Sequence, residues 1–475
     1  MQRRRFIKNL SWLAGGFVAT NFIPAKAFEG NGKKLKGRVL SNGREVANVV
    51  VSDGYNVVAT NKKGEYEFEQ HPDATAIFIS TPSGYAFKNE NGIARHYRLL
   101  KDIKKRKEIN FDLVSLEQDD NEHQFIIWAD PQVKNAKDVE KMMTHSVPDV
   151  QKFVAAAGAG SLLHGITVGD IVWDNHDLFA EYDKAVEQMG IPFFQCLGNH
   201  DMDYNKGGDE TSDDTFQQNY GPAYYSFNRG KVHYVVMDNV RYLGRDRDYD
   251  GYLQQNQLNW LQKDLAFVPK DQLIILCMHI PVHSGVKNRE ELYVLLKERN
   301  VHIMSGHTHY HRNVIKENIY EHNHGTVCGA WWTGPICEDG TPCGYGIYKV
   351  KGTELSWHYQ ATGKEASHQF RIFVNDYDLA QKQVQVNIWN HDPAWKTEYF
   401  LDGKSGGPLE QFDGFDLQAY ASMMGPDLPK QRSFAEPKKT PHLFKTLVPV
   451  SAKEIRVVAT DRFGKQYSET HALNA

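Results

Sequence analysis

The stretch Cys196-Leu197-Gly198-Asn199-His200-Asp201 ends an apolar run that begins at Ile191. The apolar run predicts a buried strand, and the glycine directly after it allows the backbone to turn sharply. Three side chains follow that can bind a metal ion, donate a proton or orient a neighbour. The stretch therefore predicts a strand whose carboxyl end takes part in chemistry, although a polar loop after a strand has the same local pattern.

Four more apolar runs in the middle of the chain end in residues of the same kind. Between these runs, apolar side chains recur at helical spacing, as at Leu178, Tyr182 and Val186. This alternation predicts an α/β domain over 122–360, with helices covering its sheets. Since ligands gather beyond the carboxyl ends of strands in such domains, the five endings are expected to converge in one site. They are Asp130-Pro131-Gln132, Gly169-Asp170, Gly198-Asn199-His200-Asp201, His279 and Gly306-His307-Thr308-His309.

The regions on either side of this domain follow a strand pattern. Residues 34–116 contain short alternating runs separated by turn residues, which predict a small antiparallel β-sandwich. Residues 369–475 return to strand patterns after a polar linker, and they predict a third, β-rich domain. The chain has five cysteines and no CxxC spacing, so a zinc ribbon is not indicated, but Cys337 and Cys343 flank a short loop and can form a disulfide.

Residues 1–27 have the three parts of an export signal. The basic segment Arg3-Arg4-Arg5-Phe6-Ile7-Lys8 precedes an apolar stretch, and Ala25-Lys26-Ala27 forms a small-x-small cleavage site. The arginine pair followed by Phe, Ile and Lys resembles a twin-arginine signal, which predicts export to the periplasm or cell envelope. An uncleaved membrane anchor is the alternative, and no other segment is long and apolar enough to cross a membrane.

The five ordered endings resemble the calcineurin-like metallophosphoesterase superfamily. Tyr220-Gly221-Pro222 and Tyr224-Tyr225-Ser226-Phe227 fit a bacterial branch with an N-terminal β-domain and a C-terminal calcineurin-like phosphoesterase β-domain. The resemblance implies an α/β fold with a four-layer α/β/β/α core, flanked by an N-terminal β-sandwich and a C-terminal β-rich domain. It also implies a metal-dependent phosphoric ester hydrolase.

The resemblance assigns a ligand set for two divalent metal ions. Asp130 and His309 would bind the first ion, Asp170 would bridge both, and the second would take Asn199, His279 and His307. Imidazole with carboxylate and carbonyl oxygens suits Mn, Fe, Zn or Co. Many relatives have a histidine in place of Gln132, so this amide is open to direct binding of the first ion, binding through water, or a hydrogen bond outside the ligand set.

His200 has no place among the ligands, and the resemblance gives it a catalytic role. It would stabilise the phosphoryl charge or protonate the departing oxygen, with either Asp174 or Asp201 fixing its tautomer. The implied reaction is in-line attack by a metal-bridging hydroxide on a phosphate monoester, diester or pyrophosphate. The alternative function is a non-catalytic envelope protein that binds glycan or lipid on a degraded phosphoesterase scaffold.

The substrate implied is a small-molecule or envelope phosphate ester, but the sequence does not name it. A formal net charge of -4 without a long basic run argues against nucleic acid as the main partner. The walls of the site are expected from loops such as 204–215, 242–252 and 330–344. Trp331-Trp332 is open to two interpretations, an aromatic wall for the substrate or core packing, and His283 is open to substrate contact or a structural hydrogen bond.

Overall fold

The computed structural model describes residues 33–103, 108–424 and 435–473. The predicted export signal at 1–27 lies outside these residues. From Lys34 onward the described residues form one unit, so the contacts between its regions can be read directly. No helix within the described part of the chain combines the length and apolarity that a membrane span requires.

The N-terminal region forms two small four-stranded sheets around a shared apolar core that includes Val39, Val51 and Ile77. The pairing is antiparallel except between the first and last strands, which run parallel, so the prediction of a purely antiparallel sandwich is wrong at this pair. The strands are β1 (Lys34–Ser41), β2 (Arg44–Glu45), β3 (Val50–Ser52), β4 (Val57–Ala59), β5 (Glu65–Glu69), β6 (Ala76–Ser80), β7 (Asn89–Glu90), β8 (Ile93–Ala94), β9 (Tyr97–Leu99) and β10 (Phe111–Leu113).

The middle of the chain builds two larger sheets. The first has the order β23-β22-β11-β12-β13-β8-β7, and the second has the order β14-β15-β18-β19-β21-β20. Their strands are β11 (Glu122–Trp128), β12 (Leu163–Val168), β13 (Phe193–Cys196), β14 (Tyr225–Arg229), β15 (Val232–Val236), β18 (Leu273–Cys277), β19 (Asn300–Ser305), β20 (Arg312–Lys316), β21 (Ile319–Asn323), β22 (Gly344–Lys351) and β23 (Glu354–Ala361). A separate hairpin joins β16 (Val240–Tyr242) and β17 (Tyr249–Gly251).

The inner faces of the two sheets pack on each other through aromatic rings. Phe194 of β13 stacks on Phe227 of β14 with ring centroids 3.7 Å apart. Helices cover the outer faces, as shown by Tyr182, whose hydroxyl lies 2.6 Å from that of Thr167 on β12, and by Asp264, which bonds His233 on β15 at 2.8 Å. The helices are α1 (Ala136–Lys141), α2 (Val147–Ala157), α3 (Phe179–Met189), α4 (Asp214–Tyr220), α5 (Gln255–Leu265), α6 (Val282–Gly285) and α7 (Arg289–Leu296). The α/β core flanked by β-rich regions is therefore confirmed.

The C-terminal region consists of two four-stranded antiparallel sheets with a common apolar core. It meets the α/β core at the loop around Asp339, whose carbonyl accepts a hydrogen bond from the Asn387 side chain at 3.0 Å. The elements are β24 (Phe370–Asp376), β25 (Gln381–Ile388), β26 (Lys396–Leu401), β27 (Lys404–Pro408), β28 (Glu410–Phe415), α8 (Leu417–Met424), β29 (Lys439–Pro449), β30 (Glu454–Thr460) and β31 (Gln466–Ala472).

Two details differ from simple expectations drawn from the sequence. The N-terminal region does not stop at its own sheets, because β8 pairs with β13 through Ile93 and Phe193 and extends the first core sheet. Cys337 and Cys343 do not form a disulfide, and both are free thiols. The Cys337 sulfur instead accepts the backbone N–H of Thr326 at 3.3 Å.

Candidate metal centre

The residues of the site share an unusual backbone conformation at the strand ends. Non-glycine residues avoid the left-handed region, and each one held there costs of the order of 1–3 kcal/mol. Such strain persists only where surrounding structure enforces it, and its concentration here indicates a functional site. The left-handed residues of the predicted site, with their φ angles, are Asp130 (48°), Gln132 (41°), Asp170 (49°), Asp174 (55°), His307 (70°) and His309 (53°).

One half of the site is centred on Nε2 of His279. This atom lies 3.0 Å from Oδ1 of Asn199 and 3.1 Å from Nδ1 of His307. Oδ1 of Asp170 is 3.3 Å away. The other ring nitrogen, Nδ1, is 2.9 Å from the carbonyl of Val168, which fixes it as the protonated nitrogen of the neutral ring. The ligand atoms of Asp170, His279 and His307 all lie within 4.8 Å of one another.

The other half of the site is formed by Asp130 and His309. Nδ1 of His309 donates to the carbonyl of Gly329 at 2.6 Å, which leaves Nε2 as the binding atom, and this atom is 3.8 Å from Oδ1 of Asp130. The Asp130 carboxylate accepts the backbone N–H of His307 at 3.0 and 3.1 Å, so it also ties the two halves together. Both side chains are almost fully buried.

Gln132 lies inside the site and contacts the Asp170 carboxylate. Its Nε2 donates to Oδ2 of Asp170 at 3.2 Å, while its Oε1 is 3.9 Å from the Cys328 sulfur. In this rotamer the amide nitrogen, which cannot bind a cation, faces Asp170. Of the three roles left open by the sequence, this geometry matches the hydrogen bond outside the ligand set, and direct binding requires rotation of the amide.

The donor set fits divalent cations. When the His279 ring is neutral, the lone pair of Nε2 faces the acceptor oxygens of Asn199 and Asp170 at hydrogen-bond distance, so this nitrogen needs either a proton or a cation. A cation between these atoms satisfies all three, and carboxylate, amide oxygen and imidazole are ligands that suit first-row divalent metals. Burial lowers the pKa of His307 to about 3 and that of His309 to about 4, so both rings are neutral and able to bind at pH 7.

The carboxyl groups of the site experience opposing influences. Burial raises the pKa of Asp130 to about 8. Burial also opposes the ionisation of Asp170, but the nearby His279 and His200 outweigh it and lower the pKa of Asp170. Burial likewise disfavours the charged form of His279, and the adjacent Asp170 carboxylate overcomes this and raises its pKa to about 9. Bound cations would keep the carboxyls of Asp130 and Asp170 ionised. They would also keep neutral the imidazoles that face these carboxyls, those of His309 and His279.

His200 is positioned by Asp174. Its Nδ1 lies 2.9 Å from Oδ1 of Asp174, and the other carboxylate oxygen pairs with Arg247 at 2.8 Å. Asp201, the other candidate for this task, instead accepts the backbone N–H groups of Val172 and Gly198 at 3.1 and 2.9 Å. Asp201 therefore joins the Gly198 turn to the loop that follows β12, and it does not orient the imidazole.

The rim of the site is aromatic and partly basic. The Trp331 ring stacks on His309 with centroids 4.3 Å apart, and Trp173 lies 5.3 Å from His200. Tyr249, from the β16–β17 hairpin, meets His307 edge-on at 6.0 Å. Trp332 takes the second of the two proposed roles, because it is 7% exposed and packs in the core.

Sequence reasoning did not single out Arg247 or Trp173. Arg247 stands in a charged turn between two short strands, and this composition is that of an ordinary surface loop. Trp173 had a usable signal, because it lies between Asp170 and Asp174, directly after the ending Gly169-Asp170. His283 lies 3.2 Å from the Glu321 carboxylate, in accord with a structural contact.

Three family models match consecutive parts of the chain. They describe the N terminal of calcineurin-like phosphoesterase at residues 33–116, calcineurin-like phosphoesterase at 162–311 and the C terminal of calcineurin-like phosphoesterase at 321–467. A curated relative, "Probable glycerophosphodiester phosphodiesterase GpdQ" of Arcobacter nitrofigilis, is 27% identical over 256 residues, covering 51% of this chain and 79% of the relative.

Solved structures give more distant likenesses. A dimetal phosphatase from Danio rerio aligns with 15% identity and a TM-score of 0.34, over 50% of this chain and 98% of the other. The purple acid phosphatase of yellow lupin seeds aligns with 12% identity and a TM-score of 0.36, over 76% and 68% of the two chains. With its core and both flanking regions matched by family models, the chain belongs to the calcineurin-like phosphoesterases and is a metal-dependent phosphoester hydrolase.

Proposed function

We propose that the protein hydrolyses a small-molecule or envelope phosphate ester, with in-line attack at a dinuclear metal centre. The observation that carries this proposal is the position of His200. Its backbone N–H donates to Oδ1 of Asp170 at 2.9 Å, and its ring nitrogen Nδ1 lies 2.9 Å from Asp174. An imidazole that is anchored to the ligand cluster, yet is not part of it, suits proton transfer to a reacting oxygen.

The first cation would be held by Asp130 and His309, the second by Asn199, His279 and His307, and Asp170 would reach both. When bound, two such ions supply charge neutralisation for the phosphate and an activated water as nucleophile. The protein's own part is to fix these ligands, and it does so through backbone acceptors. The carbonyls of Val168 and Gly329 each take a ring N–H and so leave the opposite nitrogens free.

His200 would act as the proton donor to the departing oxygen. Burial disfavours its charged form, but the charge of Asp170 and the hydrogen bond to Asp174 outweigh this and raise its pKa. With Nδ1 committed to Asp174, the second proton of the charged ring lies on Nε2, the nitrogen left available to the substrate. Protonation of the leaving group makes the bond to phosphorus easier to break.

A phosphodiester is the first substrate class to test. The support is the printed name of the Arcobacter relative, which is 27% identical over half of this chain. The Trp331 and Trp173 rings add apolar surface beside the site that suits a substrate with a substituent on each side of the phosphate. The alternative of a non-catalytic glycan- or lipid-binding protein has no comparable support, because only Gln132 departs from the family pattern.

The test combines activity with metal content. The mature protein is loaded with Mn, Zn, Fe or Co, and hydrolysis of bis-4-nitrophenyl phosphate, 4-nitrophenyl phosphate and pyrophosphate is followed. His200→Ala is expected to lower kcat by about 10²- to 10⁴-fold while elemental analysis still finds the metal content of the wild type. His283→Ala, a histidine outside the site, is the control and keeps kcat.

Two outcomes count against the proposal. Absence of hydrolysis of every ester class by the metal-loaded wild type would contradict the activity. Loss of metal from the His200→Ala variant would place His200 among the ligands instead.

We also propose that the protein works in the periplasm or cell envelope. The support is the basic and apolar pattern of residues 1–27, which resembles a twin-arginine signal. That route carries folded proteins, so a metal centre assembled before export would reach its destination intact.

A further inference from the structure

A cavity of about 590 Å³ lies between the phosphoesterase core and the C-terminal region. This volume is within the range of small-molecule sites, about 300–1,000 Å³. Its apolar lining includes Val327, Trp332, Ile336 and Pro342. The cavity is separate from the cluster of metal ligands, since none of the ligands lines it.

The charged groups around this cavity have one sign. Lys141, Lys364 and Arg371 line it together with two histidines, and the lining includes no aspartate or glutamate. Arg371 is neutralised by Asp416 at 3.0 Å. Lys364 has no ion pair among the described residues, so its ammonium group is available at the rim. An apolar cavity edged by unneutralised positive charge favours a ligand with an apolar body and an anionic end.

Two polar atoms on lining residues lack partners. Oγ1 of Thr362 and Nε of Arg371 are buried, and neither has a hydrogen-bond partner within the described parts of the chain. Buried polar groups are usually satisfied, and an exception needs a cause such as a ligand or an ordered water. Neither atom is accessible to solvent, so neither lies on the open face of the cavity, and the assignment rests on the shape of the cavity and the charges around it.

One wall of the cavity is attached to the metal-binding loop. The Trp332 indole N–H donates to the carbonyl of Pro131, between Asp130 and Gln132, at 2.8 Å, and the Lys141 ammonium donates to the Trp332 carbonyl. Trp331 and Trp332 are both left-handed, with φ of 54° and 58°. Trp331 of this strained pair stacks on His309, and Trp332 lines the cavity, so the cavity adjoins the site without belonging to it.

We propose that this cavity is a second binding site, for an apolar molecule that carries one anionic group. An alkyl carboxylate and an alkyl monoester of an oxyacid share this chemistry. The apolar body fills the space lined by Trp332 and Ile336, and the anionic head lies near Lys364 and Lys141. The proposal does not depend on which phosphate ester the metal centre hydrolyses.

The test measures binding to the mature, metal-loaded protein by isothermal titration calorimetry. Decanoate, decyl sulfate and neutral decanol are the probes, and decyl sulfate has no phosphate for the metal centre to hydrolyse. We expect both anions to bind at one site at least tenfold more tightly than decanol. A carboxylate preference identifies a fatty-acid-like ligand, and a sulfate preference identifies an oxyacid ester. Equal binding of anions and decanol, or no saturable binding of any probe, overturns the proposal.

Two variants locate the site. Lys364→Gln removes the unpaired rim cation and is expected to weaken decanoate binding at least threefold. Lys137→Gln removes an exposed lysine one helical turn from Lys141 and is the matched control, expected to change nothing. Gln418→Trp places a large side chain on the wall formed by α8 and is expected to abolish binding. Unchanged affinity in both Lys364→Gln and a folded Gln418→Trp protein overturns the proposal.

A competition experiment separates this cavity from the metal centre. Decanoate is titrated in the presence of saturating inorganic phosphate, which is the probe of the metal centre. We expect its affinity to stay within twofold of the value without phosphate. Complete displacement of decanoate by phosphate would mean that the two share one site, and it would overturn the assignment to the cavity.

Discussion

The His200 ring is held by the Asp174 carboxylate, whose second oxygen pairs with Arg247 at 2.8 Å. Asp174 is one cause of the raised His200 pKa, and a proton donor is active only below its pKa. In Asp174→Asn we therefore expect the His200 pKa to fall and the alkaline limb of the kcat/KM profile to move to lower pH. The maximal kcat should fall about tenfold or more. Steady-state kinetics across pH 5–9 measures both.

The control for this change is Asp177→Asn, an exposed acid three residues further along the chain. It alters the net charge equally and should leave the pH profile in place. A profile for Asp174→Asn that coincides with the wild type would show that another group positions His200.

The positions of the candidate ligands at strand ends could be predicted from the sequence because each follows an apolar run, while their roles as ligands are what the family resemblance implies. The choice between Asp174 and Asp201 could not, since both are close to His200 along the chain or across the turn. The path of the backbone determines which acid contacts His200. Asp201 accepts two backbone N–H groups, whereas Asp174 reaches the imidazole ring of His200. The rotamer of Gln132 could not be predicted from the sequence either, because it depends on the position of the Asp170 carboxylate.

At the level of elements, the turn after β13 depends on Gly198. A Cβ at this position would lie 2.0 Å from the backbone nitrogen of Asp170 and 2.3 Å from its Oδ1. Gly198→Ala must therefore move the Asp170 carboxylate, and we expect metal content to fall well below that of the wild type. Gly190→Ala, at the end of α3, is the control: its φ is 74° but its Cβ meets no atom within 4 Å. It should cost about 1 kcal/mol of stability and keep the metal. Full metal occupancy in Gly198→Ala would contradict the prediction.

The residue that precedes helix α4 makes the stability sensitive to pH. Burial raises the pKa of Asp213 to about 7, above its value of about 3.9 in an unfolded chain. The folded state therefore favours the protonated form of Asp213. The contribution of this form to the free energy of unfolding is lost as the pH rises from about 4 through 7. We expect the melting temperature of Asp213→Asn to increase relative to that of the wild type as the pH rises from about 4 to 7. The gain should correspond to about 1–2 kcal/mol, since the residue stays partly exposed.

Melting followed by circular dichroism between pH 4 and 8 measures this difference. Asp214→Asn is the matched control, because its side chain is exposed and adjacent in sequence. A constant difference between Asp213→Asn and the wild type at every pH would contradict the assigned titration.

Most strands could be predicted because a buried strand needs a continuous or alternating apolar run. The exceptions are short strands such as β7 and β8, which have two residues each. Two residues carry no periodicity, and their pairing is decided by the partner strand. The parallel pairing of β1 with β10 was missed for a related reason, since the direction of a strand depends on the path of the chain between the two.

Residues 1–27 are expected to direct the protein to the periplasm or cell envelope. We expect the full chain, expressed in a bacterium with a twin-arginine pathway, to appear in the periplasmic fraction without residues 1–27. Replacing Arg3, Arg4 and Arg5 together by lysine keeps the charge and should retain the protein in the cytoplasm. Immunoblots of cell fractions and mass spectrometry of the mature N-terminus are the measurements. Arg38→Lys, in β1, is the control, and equal export of the triple variant would contradict the prediction.

The pairing of β8 with β13 also sets an order of events during synthesis. Ile93 meets its partner Phe193 only after a further hundred residues have been made, so the edge of the first core sheet stays open until then. Closing so long a loop is slow compared with local hairpins. The N-terminal sheets can form early on the ribosome, whereas the metal ligands beyond β13 come together late. A nascent chain stalled before residue 193 would thus expose the unpaired edges of β8 and β12, which favours association with other chains.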